Sequence, residues 1–577
     1  MKLIWKQAVS TVMIASSVVL AVSPAFADAA VPAPTVIDSP AYAITDMTQA
    51  QVKNVLLEKT AGGWRIGSVI KLSNRSGAIV RIPDFELRAK AADGTSYTLQ
   101  PSAANVKSIS PQSNVELSYM TEIDAKNELS LTDLLWVDVN MNVYPKQETV
   151  LADAGIGSLV WKGSDAVIND ASLLNWGQSF TLPDITSSLT YSAVSLSTQY
   201  TGQKPTYVVQ LKVNNSGGFT ETVPDFTLSG KASGQSFVGQ RVEQKPISVN
   251  PGESQYLYYT IPTDAGIKPE AFYVLTPESF LKQGQTTPQS YYTGRIGFHL
   301  PTENNVNAVN LPDYQMGSPI AIDAVSQAVN PKVTVSLVHA DWFENEGQNF
   351  KTVVANLKYT NYSDSPMPIP SLGTELVNSS GTAYTGNPVP STLKEVLPGM
   401  GVSVAYAFTM PTTEESDRFV FNLQEPQGDS GFKATIGQLN IGVQKAAPND
   451  TEMDLYPYHL KLNSWALSMV ISQNASTKAY NYTYKLKTVM DINTTDNVVT
   501  EASNPKLLIE LENPAGERIA YKSLLLSGPD RIMNGNQILY FDNVSSDQME
   551  APLKVKFYET VTTPSGEAKR LLSSLTQ

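Results

Sequence analysis

A seven-residue pattern, Arg81-Ile82-Pro83-Asp84-Phe85-Glu86-Leu87, returns as Thr222-Val223-Pro224-Asp225-Phe226-Thr227-Leu228 and, more loosely, as Pro368-Ile369-Pro370-Ser371-Leu372-Gly373-Thr374. The spacings are 141 residues from 81 to 222 and 146 from 222 to 368, each about one domain long. The flanks repeat as well. Before each copy an alternating strand runs into an Asn-containing turn: Ser68 to Asn74, Val208 to Asn214 and Val354 to Asn361. After each copy come a turn glycine (Gly94, Gly234, Gly381) and a proline (Pro111, Pro251, Pro398) leading into Val115 to Tyr119, Tyr256 to Tyr259 and Val402 to Tyr406. Period-two alternation puts one face of a strand in a core and the other in water, and Pro, Gly and Asn supply the turns. The pattern therefore predicts antiparallel sandwiches. A parallel α/β fold needs helical patterns between strands, and the only helical turns expected are short ones near Thr132 to Leu135 and Pro277 to Lys282.

From about Pro448 the plan continues without the motif. Tyr480 to Val489 alternates, Leu507 to Leu511 precedes the turn Asn513-Pro514-Ala515-Gly516, Ile538 to Phe541 follows Asn534-Gly535, and Leu553 to Tyr558 reads as the closing strand. The expected organisation is a leader 1–27 and four β-sandwich segments, 28–165, 166–312, 313–447 and a divergent 448–577. Strands near Gly157 to Lys162 and Arg295 to His299 would pass directly into the next segment. Trp136, Phe272 and Phe419 fall at similar points of their repeats and read as core plugs, and Trp64, after Gly62-Gly63, as a hairpin residue covering its own sheet.

On these residues the chain resembles the telokin-like immunoglobulin-like modules found in secreted Gram-positive bacterial proteins. There a strand, an F-x-L-like strand, an Asp-Gly-type turn and a Pro-Gly-led strand recur in this order. The resemblance spans most of 45–560 and implies tandem immunoglobulin-like sandwiches and a habit of binding, with no activity attached. The Cys-Trp-Cys arrangement of antibody domains is not found.

Met1 to Ala27 has the three parts of an export signal: Lys2 and Lys6, an apolar stretch from Ala8 to Val22, and Ala25-Phe26-Ala27 before Asp28. Cleavage there leaves a mature chain from Asp28 with an Ala- and Pro-rich tail to Pro40. No later stretch is apolar enough to span a bilayer, and Leu571 to Gln577 carries no sorting motif. A secreted or cell-wall-associated protein, held non-covalently, is expected. The sequence has no cysteine, so each segment folds without disulfides on a core of its own. Thiol nucleophiles, Cys-based zinc sites and iron–sulfur clusters are excluded. The net charge of −13 becomes −15 once Lys2 and Lys6 are removed, which argues against nucleic acid as a partner.

Three histidines, His299, His339 and His459, fall on different strands, and no Gly-x-Ser-x-Gly elbow or His-Glu-x-x-His is present. No catalytic or cofactor-binding residue is nominated, and the chain reads as non-enzymatic; a hydrolase with an unrecognised acidic site is the weaker alternative. Oxygen ligands for calcium are offered only by Asp491, Asn493 and Asp496, and by Asp138 and Asn140. These read first as a polar turn and an outward strand face, because calcium takes six to eight oxygens.

Aromatics are the remaining resource: 26 tyrosines and 7 tryptophans. Flat rings stack on sugars and anchor protein interfaces. The candidates outside the strongest alternating positions are Trp161, Trp176, the pair Tyr291-Tyr292, and Trp342-Phe343. Two function classes follow. One is a structural or adhesive envelope component whose modules bind a protein or a wall glycan; the other is a soluble carbohydrate-binding protein.

Overall fold

The computed structural model describes residues 18–20 and 40–577, apart from 126, 184, 186, 202–203, 233, 302–310, 428–431, 474, 477, 479, 495–496, 501–504, 542–543 and 545–550. The leader and its tail lie outside the described residues, except Pro40 and the strand Val18–Leu20, which pairs antiparallel with Leu196 to Thr198. The chain is all-β, built of antiparallel sheets, with 3-10 turns at Gly163–Asp165 and Asp170–Ser172 and no α-helix among the described residues. It divides into two compact units, Met1–Val309 and Asn310–Gln577.

In the first unit the principal strands are β1 (Thr48–Thr60), β2 (Gly63–Asn74), β3 (Glu86–Ala91), β4 (Asn114–Ile123), β5 (Leu131–Asn140) and β6 (Gln147–Gly155), followed by β7 (Leu189–Thr201), β8 (Lys204–Asn215), β9 (Thr227–Ala232), β10 (Ser254–Pro262), β11 (Ala271–Phe280) and β12 (Gln289–His299). Strands β1, β2 and β4 pair in that order, and β3, β5 and β6 in that order; β7, β8, β10 and β9, β11, β12 do the same. The second unit holds β13 (Val333–Glu344), β14 (Phe350–Asn361), β15 (Gly373–Val377), β16 (Gly401–Pro411), β17 (Arg418–Pro426) and β18 (Lys433–Gly442), then β19 (Tyr458–Gln473), β20 (Tyr480–Thr494), β21 (Lys506–Glu512), β22 (Gly535–Phe541), β23 (Lys554–Thr563) and β24 (Gly566–Thr576). Its pairing orders, β13-β14-β16 with β15-β17-β18 and β19-β20-β22 with β21-β23-β24, repeat those of the first unit.

Each set of six strands encloses its own core. Leu87 and Trp136 fill the first, Tyr259 and Phe298 the second, Tyr359 and Phe421 the third, Ile509 and Phe557 the fourth. Burying each such side chain contributes about 1.5–3 kcal/mol. A cysteine-free chain rests on these cores alone.

Three local devices recur with the strands. The first long strand of every set carries a β-bulge, with Lys53, Val194, Val338 or Asn463 as the extra residue. The last hairpin of every set carries another, with Leu151, Arg295, Ile436 or Leu572 as the extra residue. The third device is the asparagine that ends the second strand in three of the sets. Asn74 Nδ2 donates to the carbonyls of Ala78, Ile109 and Ser110 at 2.7, 3.2 and 3.0 Å. Asn215 donates to Phe219 and Val249 at 2.7 and 2.8 Å, and Asn361 to Ser365 and Val396, both at 2.8 Å. Their Oδ1 atoms accept from the backbone N–H of Ser76, Gly217 and Ser363. In the second set the buried residue is Asn215, one position beyond the Asn214 that ends the alternating run.

Several sequence expectations need correction. Thr132 to Leu135 and Pro277 to Phe280 are strand, within β5 and β11. Pro277 is tolerated because it lies beyond Thr227↔Leu275, the last pair β11 makes with β9, so its missing N–H breaks no ladder on that side. The strand that closes the first set is β6, and Val160–Trp161 is a two-residue strand parallel to β1. The closing strand of the chain is β24, one hairpin later than Leu553 to Tyr558. Counted from the bulge, Phe272 stands two residues before the position of Trp136 and Phe419 two before that of Phe272. All three are nevertheless buried core residues. Trp64 does cover its own sheet: its ring is buried and Nε1 donates to the carbonyl of Asn127. Gly63, at φ +134°, must be glycine, because a Cβ there would stand 2.1 Å from the carbonyl oxygen of Ile123.

Candidate functional site: the joints between β-sheet faces

Within each unit, the outer face of one three-stranded sheet is covered by the segment that follows. In the first unit, Leu56 on β1 and Met120 on β4 pack against Tyr273, Leu275 and Phe280 of β11 and Tyr291 of β12, with Trp161 between them. The bulges supply the polar part. Lys53 Nζ lies 2.8 Å from Glu116 and 3.1 Å from Glu278, and Asn54 Nδ2 donates to Glu278 at 2.8 Å. Arg295, the extra residue of the β12 bulge, donates to the carbonyl of Lys53, the extra residue of the β1 bulge. Burial works against the charge of Lys53, but Glu278 and Glu116 outweigh it and its pKa is raised. Burial pushes Glu278 above the usual carboxylate range, with Lys53 opposing.

A raised folded pKa means that Glu278 adds stability below the ordinary carboxylate pKa and that this contribution is lost as pH rises through the folded value. Glu278→Gln is therefore expected to flatten the pH dependence of stability above the ordinary carboxylate pKa, measured as urea midpoints across that range. An unchanged slope would mean that Glu278 is not the titrating group.

In the second unit, Phe343 of β13, Val354 of β14 and Ala407 of β16 pack against Val561 of β23 and Ala568 of β24. Beside them lies a buried charge cluster. Arg570 donates through Nε and Nη2 to Glu559 Oε2 at 3.0 and 2.6 Å, donates through Nη2 to the carbonyl of Asp454 at 2.7 Å, and places Nη1 3.5 Å from Asp341. Asp341 and Glu559 are each only 4% exposed. His339 Nδ1 is 3.5 Å from Asp341, and its ring lies 5.4 Å from that of Tyr456. Burial raises the pKa of Glu559 despite Arg570. A second, more exposed cluster joins Lys569 and Arg518 to Glu346 and Glu510.

Next to Glu559 runs a narrow cleft of about 40 Å³, lined by Asn356, Ser391, Ser403, Tyr456, Thr500 and Glu559 among others. A cavity of that size holds a few waters at about 10–15 Å³ each, whereas drug-sized ligands occupy pockets of about 300–1,000 Å³. With its acid neutralised by Arg570, this seam is suited to holding two segments together.

The aromatic candidates are dispersed by the fold. Trp161 and Tyr291 are buried in the first joint, and Phe343 is buried in the second, where Arg570 sits 5.8 Å from its ring centroid. Trp176 is half-buried against Phe298, and Trp342 is half-buried against Phe419 with Lys351 Nζ 4.2 Å from its ring centroid. Tyr292 alone of the six is an exposed ring, at 41%. It points away from Tyr291, as adjacent strand residues do.

The histidines each stand beside an aspartate: His299 is 3.9 Å from Asp170 and His459 is 2.6 Å from Asp454. Among the described residues no group of three His, Cys, Asp or Glu side chains is placed to hold a metal. Of the calcium candidates, Asp491 accepts from Asn463 at 2.8 Å, Asn140 accepts from the backbone N–H of Asn142, and Asp138 is exposed; Asp496 lies outside the described residues. Among the described residues no helix is long and apolar enough to cross a membrane.

The joint residues Glu278, Glu559 and Arg570 were not singled out from sequence. The sequence neighbours of Glu278 and Arg570, Thr276-Pro277-Glu278-Ser279 and Glu567-Ala568-Lys569-Arg570, give no signal, whereas Asp341 stands inside the apolar run Ala340-Asp341-Trp342-Phe343.

No protein-family model matches the chain, and no curated protein sequence matches it. Solved structures with slight similarity include an exo-β-D-glucosaminidase, CsxA, in complex with inhibitors, at 8% identity over 89% of this chain and 91% of that chain. The exo-chitosanase CsxA of Amycolatopsis orientalis is also 8% identical, over 89% and 92%. The secreted serine protease VesC of Vibrio cholerae is 11% identical over 69% and 98%. Each has a TM-score of 0.12, so the likeness carries no argument.

Proposed function

We propose that this is a non-enzymatic, exported structural or adhesive protein of the cell envelope, built of four immunoglobulin-like modules at 28–165, 166–312, 313–447 and 448–577. The repeated pairing of the first, second and fourth strands of each set with one another, and of the third, fifth and sixth with one another, supports an immunoglobulin-like reading. It supports the telokin-like resemblance as a reading of the fold. The observation that carries the functional reading is the pair of joints. Charged side chains are buried and paired across the joints: Lys53 with Glu278, to which Asn54 also donates, in the first unit, and Arg570 with Asp341 in the second. Stiff coupling of this kind suits a protein that projects or bridges. The dispersal of the aromatic candidates favours protein or wall-polymer partners over a sugar-stacking platform, which leaves the soluble carbohydrate-binding reading second.

The test is co-sedimentation of mature protein, residues 28–577, with isolated cell-wall sacculi, with calcium and with chelator. Pelleting with the sacculi is the expected result, and loss on chelation would assign the contact to cations bridging an acidic chain to anionic polymer. Protein that stays in the supernatant under both conditions would overturn wall binding.

A further inference from the structure

In both units the covered sheet presents an equivalent row of residues to the joint. Counting from the bulge in the first strand, the third residue on opens the docking row: Leu56–Gly67–Met120 in the first unit and Asp341–Val354–Ala407 in the second. At the same count in 448–577 stands Ala466–Lys487–Ile538, followed by Ser468–Lys485–Tyr540. Among the described residues this row is exposed. Ile538 is 49% and Tyr540 46% exposed, Lys487 is exposed, and Lys485 Nζ lies 5.7 Å from the Tyr540 ring centroid.

The opposite half of the joint is partly uncovered. Counting from the hairpin bulge, Tyr273, which docks in the first unit, corresponds to Leu135 on β5. Leu135 lies in the row Arg88–Leu135–Asp153, beside Glu86–Val137–Val150. Val150 is 56% exposed, Leu135 is half-buried and Asp153 is exposed, whereas Val137 between them is buried. Arg88 is already engaged by Glu86 and Glu148, and Lys90 lies 3.4 Å from Asp133. That leaves Asp153 to meet an incoming cation. One terminal module thus offers an apolar patch with two lysines, the other an apolar patch edged with carboxylates.

We infer that the Ile538–Tyr540 face of one molecule docks on the Leu135–Val150 face of a second copy, head to tail, repeating the joint found inside each unit. The inference rests on reading the segments as repeats of one module, and it is independent of wall binding. Because the two surfaces differ, every added copy leaves one of each exposed, so assembly continues into chains or rings. Opposite charge speeds encounter and makes assembly salt-sensitive.

Sedimentation velocity on the mature chain at low salt tests this. The wild type is expected to grow past dimer as concentration rises and to shrink when salt is added. Ile538→Glu places a carboxylate against the acidic face, and Leu135→Lys sets an ammonium against Lys485 and Lys487; each variant alone is expected to remain monomeric. Mixed one to one, the first variant still presents its Leu135 face and the second its Ile538 face, so the mixture is expected to stop at dimers. Unchanged melting confirms that the variants fold, and Lys487→Glu replaces Ile538→Glu if that variant melts early. A wild type that stays monomeric at every concentration, variants that assemble like the wild type, or a mixture that stays monomeric would each overturn the inference.

Discussion

Arg570→Leu is expected to destabilise the second unit by about 3–5 kcal/mol, the typical cost of removing one partner from a buried ion pair. The guanidinium is the shared counter-charge of Glu559 and Asp341, each 4% exposed, and it also donates to the carbonyl of Asp454. Without it two buried carboxylates lose their shared counter-charge. The loss should depend on pH in a defined direction. Burial already raises the pKa of Glu559, and removing Arg570 raises it further. An acid whose folded pKa is raised contributes stability that is present below its unfolded pKa and lost as pH rises through its folded one. The deficit relative to wild type should therefore narrow as pH falls from about 7 to about 5. Urea unfolding of the intact chain at the two pH values measures this, and a deficit that is constant or grows on acidification would rule out the buried carboxylates as its source.

Asn361→Ala is expected to cost about 3 kcal/mol, since it removes the partner of the buried Val396 carbonyl and of the buried Ser363 N–H at roughly 1–3 kcal/mol for each unsatisfied group, less what relaxation recovers. Asn361 is fully buried, and its amide ties the end of β14 to Ser365 and to Val396, where two short strands meet. The adjacent Tyr362 is 71% exposed, and Tyr362→Ala should stay within about 0.5 kcal/mol. Asn74→Ala and Asn215→Ala should behave like Asn361→Ala, because their side chains span the same turn. Equal effects for Asn361→Ala and Tyr362→Ala would show that the asparagine lock contributes nothing specific.

Strand and turn chemistry is written locally, which is why much of the sheet architecture can be read from residues. Gly94, Gly234 and Gly381 all adopt positive φ at the turns their spacing predicts, and the Asn-ended strands precede real turns. What was illegible depends on partners distant in the chain. The run Gly566 to Thr576 lacks strict alternation because Leu572 is the extra residue of a bulge, so the last strand, with Lys569 and Arg570 on it, could not be read by period. Arg295 was legible as a strand residue, but not as the contact to Lys53, 242 positions away. The aromatics mislead for a related reason: Trp161, Tyr291 and Phe343 stand on outward sheet faces, which a single module would leave in water, and those faces are covered by the neighbouring module. Sequence periodicity reports the face of a sheet, and only tertiary structure reports what lies against it.

The joint itself is tested most directly by differential scanning calorimetry of residues 28–577, wild type and Arg570→Leu. If modules are coupled through the buried ion pairs, residues 310–577 unfold in one cooperative transition in the wild type, and the substitution splits that transition in two. Independent transitions for 313–447 and 448–577 already present in the wild type, and unmoved by Arg570→Leu, would contradict the coupling on which the structural role rests.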